Sequence, residues 1–376
     1  MIYLVFLIII IYTILIVSFI IGFDKVKLFK IGNSTPENTF TIIIPFRNEA
    51  KNLPSLLESL SILDYPKGLF EVIFINDDSN DTSVEKIRLF KTQDLKLNFY
   101  IFDNIRKSNS PKKDAIETAV QKSNFNWIVT TDADCIVPKK WLQLFDEFIK
   151  ENDSKMICAP VTYQTSNSIL EQFQLLDFTS LIGSTIGGFG IKKPFLCNGA
   201  NLCYSKDSFY QVNGFEGNNN ISSGDDIFML EKMIEKFPNE VHFLKSYDAL
   251  VITKPQPTLR SLVSQRIRWA SKTSSYKNWF GKFVGISVLL INFLLVISLP
   301  ITLFKFLSWE IFIMLFSIKF TVDFTLITKT LIFTKQSKNI VFYPIIAIFH
   351  PFFIIFTSFL TIFKNRYKWK GRLFNL

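Results

Sequence analysis

Four stretches of the chain, Met1 to Ile21, Phe283 to Phe306, Trp309 to Phe333 and Ile340 to Phe363, are apolar over lengths that cross a bilayer core of about 30 Å. The first carries no early positive charge and ends without a small-residue cleavage site, which predicts a retained anchor and not a removed signal peptide. Beyond it the periodicity changes. Phe40-Thr41-Ile42-Ile43-Ile44-Pro45 is a short β-branched run, followed by Arg47-Asn48-Glu49 and by leucines at helical spacing (Leu53, Leu56, Leu57, Leu60), which reads as strand, loop and helix. Phe70 to Ile75 with a helix from near Ser83, then Leu97 to Phe102 with a helix from Asp114 to Gln121, repeat the unit. A fourth apolar run from Asn126 ends in Asp132-Ala133-Asp134. Alternation of this kind predicts an α/β domain with a doubly wound, mostly parallel sheet whose polar loops gather at one edge.

The later part of this region is less regular. Met156 to Thr162 reads as a strand, Ile169 to Gly190 as an apolar segment that either lies on a membrane surface or closes the core, and Phe195 to Tyr204 as a strand interrupted by a close-approach glycine, Gly199. A helix from Ile227 to Lys236 and a strand from Phe243 to Thr253 follow. Thr258 to Lys272 is a basic amphipathic helix, with Leu259, Leu262, Val263 and Ile267 opposed to Arg260, Arg266, Arg268 and Lys272, and it predicts an interfacial helix just ahead of the apolar block. The implied division is an anchor (1–22), a globular domain (36–255), an interfacial helix (256–282), a transmembrane block (283–363) and a basic tail (364–376).

With 376 residues, 48% of them hydrophobic, the chain fits a globular domain plus membrane segments. Lys25, Lys27 and Lys30 behind the anchor place the globular domain on the cytoplasmic side of the cell inner membrane by the positive-inside tendency. One anchor plus three further spans then puts the basic tail (Lys364, Arg366, Lys368, Lys370, Arg372) outside, against that tendency, so either one stretch, the candidate being the one containing His350-Pro351, does not cross or the tendency fails. Much of the net charge of +10 sits beside apolar spans, which favours anionic lipid headgroups over nucleic acid as partner. The 4 cysteines lack CxxC spacing and read as reduced core residues, and 2 separated histidines give no zinc site or histidine triad. Lys319 and Asp323 share a helix face inside a span, as a structural pair or a functional one.

Candidate chemistry lies in the loops. Asp132 and Asp134 suit a hard cation, Mg2+ or Mn2+, that takes oxygen ligands and leaves positions for phosphate; they also read as turn or N-cap aspartates before a helix near Pro138. Asp77 and Asp78 end another strand and serve either a base or ribose or an Asx turn. Lys112 and Lys113 meet a diphosphate or solvent. Ser223 and Asp226 in Ser222-Ser223-Gly224-Asp225-Asp226 form an S-x-x-D capping box, a role compatible with Asp226 as a rigidly aimed base. Neither GxGxxG nor GxxxxGK[ST] occurs, so a nucleotide would not bind through those loops.

Taken in order, TIIIPFRNEAKNL, INDDSND, the lysine pair, TTDADC, SGDD and QRIRW ahead of an apolar block resemble the membrane-integrated family 2 glycosyltransferases of the GT-A (nucleotide-diphospho-sugar transferase) fold, from about Phe40 to Trp269. The resemblance implies one N-terminal and about three C-terminal transmembrane helices. It implies donor contacts at Pro45, Arg47, Glu49, Asp77, Lys112, Asp132, Gln265, Arg268 and Trp269, although a proline precedes Lys112 where the family has glycine. It also implies a metal (Mg2+ or Mn2+) at Asp134 assisted by Asp132, and the acid pair Asp225-Asp226 with Asp226 as base. The expected reaction is inverting transfer from a nucleotide sugar, a UDP sugar in this family, to a lipid or glycan acceptor delivered by the bilayer. Q-x-x-R-W occurs in ceramide-type glucosyltransferases and in processive polysaccharide synthases. The few spans and the Trp369-Lys370-Gly371-Arg372 end favour the former. A non-catalytic nucleotide-sugar-binding regulator or transport component is the alternative class, and it would need no aligned base.

Overall fold

A computed structural model describes residues 2–32, 34–93, 97–363 and 366–375; Asn33 of the polar linker and Lys364 of the basic tail lie outside the described residues. The chain begins with helix α1 (Ile2–Lys25) and then lays down β1 (Phe40–Phe46), α2 (Leu53–Ser61), β2 (Phe70–Asn76), α3 (Ser83–Gln93), β3 (Phe99–Asp103), α4 (Pro111–Lys122), β4 (Trp127–Thr130) and α5 (Trp141–Glu151). Next come β5 (Met156–Cys158), β6 (Val161–Tyr163), α6 (Ile169–Gly190), β7 (Leu202–Ser205), α7 (Lys206–Gln211), α8 (Asp225–Lys236), β8 (Val241–Phe243), β9 (Val251–Thr253) and α9 (Leu259–Ala270). The long helices α10 (Trp279–Leu303), α11 (Trp309–Phe333) and α12 (Tyr343–Phe363) and the hairpin β10 (Arg366–Trp369) and β11 (Arg372–Asn375) complete it.

Seven strands form one sheet in the order β3-β2-β1-β4-β7-β5-β8. The first four are parallel, and β7 runs antiparallel to both neighbours. The β-branched run of β1 is central and buried on both faces, as crossover helices demand, with Ala115, Ile116, Ala119 and Val120 of α4 packed over β1 and β2. Two runs read as single strands are divided. Pro160 interrupts Met156 to Thr162, so that β5 joins the large sheet while β6 pairs with β9 in a small parallel one. Phe243 to Thr253 is likewise broken by a 3-10 turn at Tyr247–Ala249, and Phe195 to Tyr204 is strand only from Leu202.

Helix α6 closes the core, packing on β6 of the small sheet and against α1 and α11. At its crossing with α1 the backbones touch: a Cβ on Gly22 would overlap the Gly187 carbonyl oxygen, and a Cβ on Gly190 the Gly22 carbonyl. Tyr12 of α1 donates to Asp323 Oδ1 at 2.6 Å, and Lys319 pairs with Asp323 Oδ2 at 2.6 Å, so the charged pair in α11 is neutralised and tied to α1.

Among the described residues, four helices are long and apolar enough to cross a membrane: α1, α10, α11 and the last, Ser337–Phe363, whose regular part is α12. Both flanks of α12 nevertheless touch the globular domain. Gln336, ahead of it, accepts from Thr162 Oγ1 at 2.7 Å and donates to the Tyr163 carbonyl at 2.9 Å. Lys370 and Arg372, behind it, reach Glu49 and Asp77. In between, His350 lies 3.2 Å from Asp177 of α6, and Phe353 meets Phe173 edge-on at 4.9 Å. These contacts dock α12 on the domain, while its other neighbour is α10. The helix runs on through Pro351, so its course is set by this docking and not by a break at His350-Pro351.

The α1–α6 contact predicts that Gly190→Val lowers stability by about 1–3 kcal/mol through overpacking. Thermal unfolding in detergent checks this, with Gly68→Ala, where a Cβ meets nothing within 4 Å, expected to stay near wild type.

Candidate active site at the carboxyl edge of the sheet

Parallel β1, β2 and β4 end at one edge, so the polar loops after them are neighbours. Phe46 pairs with Asn76, and the Asp77 amide donates to the Phe46 carbonyl at 2.9 Å, which sets Arg47 beside Asp77 just past Pro45. Arg47 Nη1 donates to the carbonyls of Asp77 (2.7 Å) and Asp78 (2.5 Å). The Glu49 amide donates to Ser83 Oγ at 2.8 Å, while its carboxylate takes Asn52 Nδ2 at 2.7 Å and pairs with Lys370. Asp77 is buried; its Oδ1 accepts from Asn104 Nδ2 (2.9 Å) and Arg106 (3.3 Å), and its Oδ2 from Arg372. Asp78 points outward, its backbone at a φ of 61°.

A second cluster forms where β4 meets β7. Because β7 is antiparallel, the loop before it arrives at the edge where β4 ends, and Thr130 Oγ1 donates to the Gly199 carbonyl at 2.8 Å. Lys112, from the start of α4, places its Nζ 2.7 Å from Asp132 Oδ1 and 3.2 Å from Asp225 Oδ2. Asp226 accepts from the Gly199 amide at 3.3 Å through Oδ2 and from its neighbour's amide, Ile227 N, at 2.8 Å through Oδ1. A side chain at Gly199 would crowd the cluster: its Cβ would lie 3.0 Å from Asp225 Oδ2 and 3.4 Å from Lys112 Nζ. Asp225 is buried and Asp226 half-buried, so the second acid is the one open to a ligand.

The electrostatics follow from this crowding. Burial alone would raise the Asp225 carboxyl, but Lys112 and Lys272 hold it below the ordinary range. Burial works against the Lys112 ammonium, and Asp132 and Asp225 outweigh it and hold its pKa above the usual lysine value. Asp134 is different. Burial, then the charge of Asp132, push it up to about 6, and its side-chain contact is the Cys135 thiol at 3.8 Å. Among the described residues no three His, Cys, Asp or Glu side chains gather as a metal cage. Two carboxylates, one of them under-compensated, still fit a Mg2+ or Mn2+ ion that takes its other oxygens from phosphate and water.

Lys113 does not reach this cluster. Its Nζ donates to the carbonyls of Asn218 (2.7 Å) and Ile221 (3.0 Å) and lies 4.5 Å over the Phe228 ring, so it pins the loop ahead of α8. The capping box is absent as well: Gly224, at a φ of 83°, is the N-cap of α8, and no side chain caps it.

Helix α9 carries Gln265, Arg268 and Trp269. Gln265 Oε1 accepts from Arg266 at 2.7 Å, and Trp269 is half-buried with the Arg266 guanidinium 4.3 Å over its ring. Arg266 is not on the polar face. It is buried and pairs with Asp177 at 2.7 and 2.9 Å, while His350 takes the other Asp177 oxygen. Lys272, also grouped with the polar face, is buried, with its Cδ 3.0 Å from where a Cβ on Gly224 would stand, beside the acid pair. Sequence reasoning missed Asp177, Arg266 and His350 as a unit, and missed Lys272. The available signal was Asp177, a carboxylate in the middle of the apolar run from Ile169 to Gly190, since buried acids are seldom unpaired.

Burial would raise the Asp177 carboxyl, but Arg266 and then His350 bring it down to about 2. Against about 3.9 in an unfolded chain, the native pairing contributes fully above about pH 4 and is lost as pH falls toward 2. Arg266→Leu, which strands a buried carboxylate, should cost about 3–5 kcal/mol, and the double change Arg266→Leu with Asp177→Leu should recover much of it. Denaturant unfolding of wild type and the two variants is the check.

The pattern described as glycosyl transferase family 2 matches residues 41–208, and that described as glycosyl transferase family group 2 matches residues 127–358. Poly-β-1,6-N-acetyl-D-glucosamine synthase of Staphylococcus aureus is 28% identical over 145 residues, which are 38% of this chain and 33% of the synthase. Glycosyltransferase AglE of Haloferax volcanii is 26% identical over 187 residues, 49% of this chain and 58% of AglE. The chain therefore matches a third of one relative and somewhat over half of the other. The mannosyltransferase PcManGT of Pyrobaculum calidifontis, solved with GDP-Man and Mn2+, superposes with a TM-score of 0.54 at 15% identity, covering 85% of this chain and 91% of that one, a likeness of fold. With the group 2 pattern running from the aspartate strand β4 into α12, this chain belongs to the family 2 glycosyltransferases and is built on their GT-A fold.

Proposed function

We propose that the protein transfers a sugar with inversion from a UDP sugar to an acceptor held in the membrane, with Asp226 as the base. The observation that carries this reading is the single Lys112 ammonium touching both Asp132 and Asp225, which draws the DxD loop, a cation for the diphosphate and the acid pair into one cluster. Asp134 and Asp132 would hold Mg2+ or Mn2+, and that cation would supply charge neutralisation to the departing diphosphate. Lys112 would turn from Asp132 toward the same phosphates. Asp226, half-buried and fixed through Gly199 and its own helix start, would take the proton of the acceptor hydroxyl as that oxygen attacks the anomeric carbon opposite the leaving group. Pro45, Arg47, Glu49 and Asp77 would form the nucleoside end. Arg268 and Gln265 would hold the diphosphate or close the site, with the Trp269 indole available to stack on an acceptor sugar or headgroup.

A lipid-borne acceptor suits the surface beside α9. Leu259 on α9 and Phe352, Phe356 and Phe359 on α12 are exposed and apolar, as residues facing acyl chains are. The proposed topology has α1, α10 and α11 crossing, α12 lying at the interface, and the catalytic domain and tail together in the cytoplasm, with the division of the chain given by the sequence. The likeness to the S. aureus synthase favours a second reading, repeated addition to a growing glycan. Product size separates the two.

Asp226→Asn should abolish turnover while leaving donor affinity within a few-fold; near-wild-type turnover would reduce Asp226 to a helix-start residue. Asp134→Ala should remove the metal dependence of donor binding, and equal affinity with and without Mn2+ in both proteins would dismiss the metal assignment. The assay is UDP release by detergent-purified protein from a panel of nucleotide sugars, with and without Mn2+ and a membrane lipid extract.

A further inference from the structure

We propose that the C-terminal hairpin β10–β11 is an internal competitor of the donor, occupying the place of its nucleoside until the donor displaces it. This rests on the reading of Arg47, Glu49 and Asp77 as the nucleoside end. The turn of the hairpin is Lys370-Gly371, both at positive φ (48° and 81°), the two-residue I′ geometry that joins twisted antiparallel strands tightly. It delivers two cations to the nucleoside end. Lys370 pairs with the Glu49 carboxylate. Arg372 pairs with Asp77 Oδ2 and sets its Nη2 3.3 Å from the Asp77 carbonyl and 3.1 Å from Asp78 Oδ2. Arg47 Nε donates to the Lys370 carbonyl at 3.3 Å.

A nucleoside offers a buried carboxylate ring N–H and ribose O–H donors. The hairpin offers ammonium and guanidinium N–H donors to the same two carboxylates. Both cannot be accommodated: Asp77 is 6% exposed, Oδ1 already takes Asn104 and Arg106, and Oδ2 takes Arg372. The contacts are reversible in kind, because the Lys370 and Arg372 side chains remain 31% and 21% exposed and their ion pairs are open to screening. The hairpin follows α12 directly, so its hold on the site is coupled to a helix that lies along the domain.

The test is amide hydrogen exchange of the full chain in detergent, with and without saturating UDP, beside UDP affinity of wild type, Arg372→Ala, Gly371→Val and Asp77→Ala. Gly371→Val keeps every charge, and its Cβ meets nothing within 4 Å, so it acts through the strain of a β-branched residue at φ 81°. Competition predicts that UDP speeds exchange in 366–375 and that Arg372→Ala and Gly371→Val bind UDP about tenfold more tightly, the effect of removing roughly one charge-assisted contact. Slower exchange with UDP, or weaker binding by both variants, would make the hairpin part of the donor site and overturn competition. Unchanged exchange and affinity, with Asp77→Ala still weakening UDP, would overturn it too while leaving the nucleoside reading intact. If Asp77→Ala binds UDP as wild type does, or wild type and Arg372→Ala both fail to bind it, the nucleoside reading falls and the competitor with it.

Discussion

The ammonium of Lys112 makes the rest of the site tolerable. Asp132 and the adjacent pair Asp225-Asp226 converge from two separate segments, and like charges brought that close and partly stripped of water repel strongly. One cation bridging Asp132 and Asp225 offsets part of that repulsion and fixes the loops from which they come. Gly199 lets the loop before β7 approach closely, since a Cβ there would press on the Asp225 carboxylate and the lysine. The antiparallel turn of the sheet at β7 has the same consequence at a larger scale: it brings a loop, not a strand end, to the edge where β4 delivers its aspartates.

Once that site is fixed, the apolar helices are arranged around it by a second buried charge pair. Asp177 sits in the middle of α6 and is met by Arg266 of α9 and His350 of α12, so three helices are joined at one carboxylate. The pair contributes little net stability against an apolar replacement, because desolvation offsets attraction, but it specifies which helices meet and in what register. The Arg266 guanidinium over Trp269 then transmits that register to the aromatic ring of the QRIRW segment.

The parallel strands were legible because a fully buried strand must be a continuous β-branched run, and Phe40 to Phe46 and Phe70 to Asn76 are such runs. The three-residue strands β5, β6, β8 and β9 were not, because a chain that changes sheets keeps its apolar composition through the change. Arg266 shows a subtler loss. Leu262 and Arg266, four apart, share one helix face, so spacing put the arginine on the buried side, and its charge argued the other way. Proximity of Lys112 to Asp132 and Asp225 was legible through resemblance alone, since no local pattern relates residues that far apart. Docking of the hairpin on Asp77 left no trace in sequence beyond the Lys370-Gly371 turn.

The same geometry resolves the charge parity of the apolar helices. If α12 lies on the domain, three crossings remain and the chain's end returns to the catalytic side. Lys25, Lys27 and Lys30 after α1, Lys277 and Lys282 at the entry to α10, and Lys335 and Lys338 after α11 then share that side with Lys370 and Arg372. The short connection from α10 to α11 carries Lys305 as its basic residue, so the opposite face is left nearly without positive charge. A bilayer with an anionic cytoplasmic leaflet favours that distribution by roughly 1 kcal/mol for each basic residue near its surface. The interfacial course proposed for α12 and the positive-inside tendency would therefore support one another, with Lys370 and Arg372 engaged by protein carboxylates.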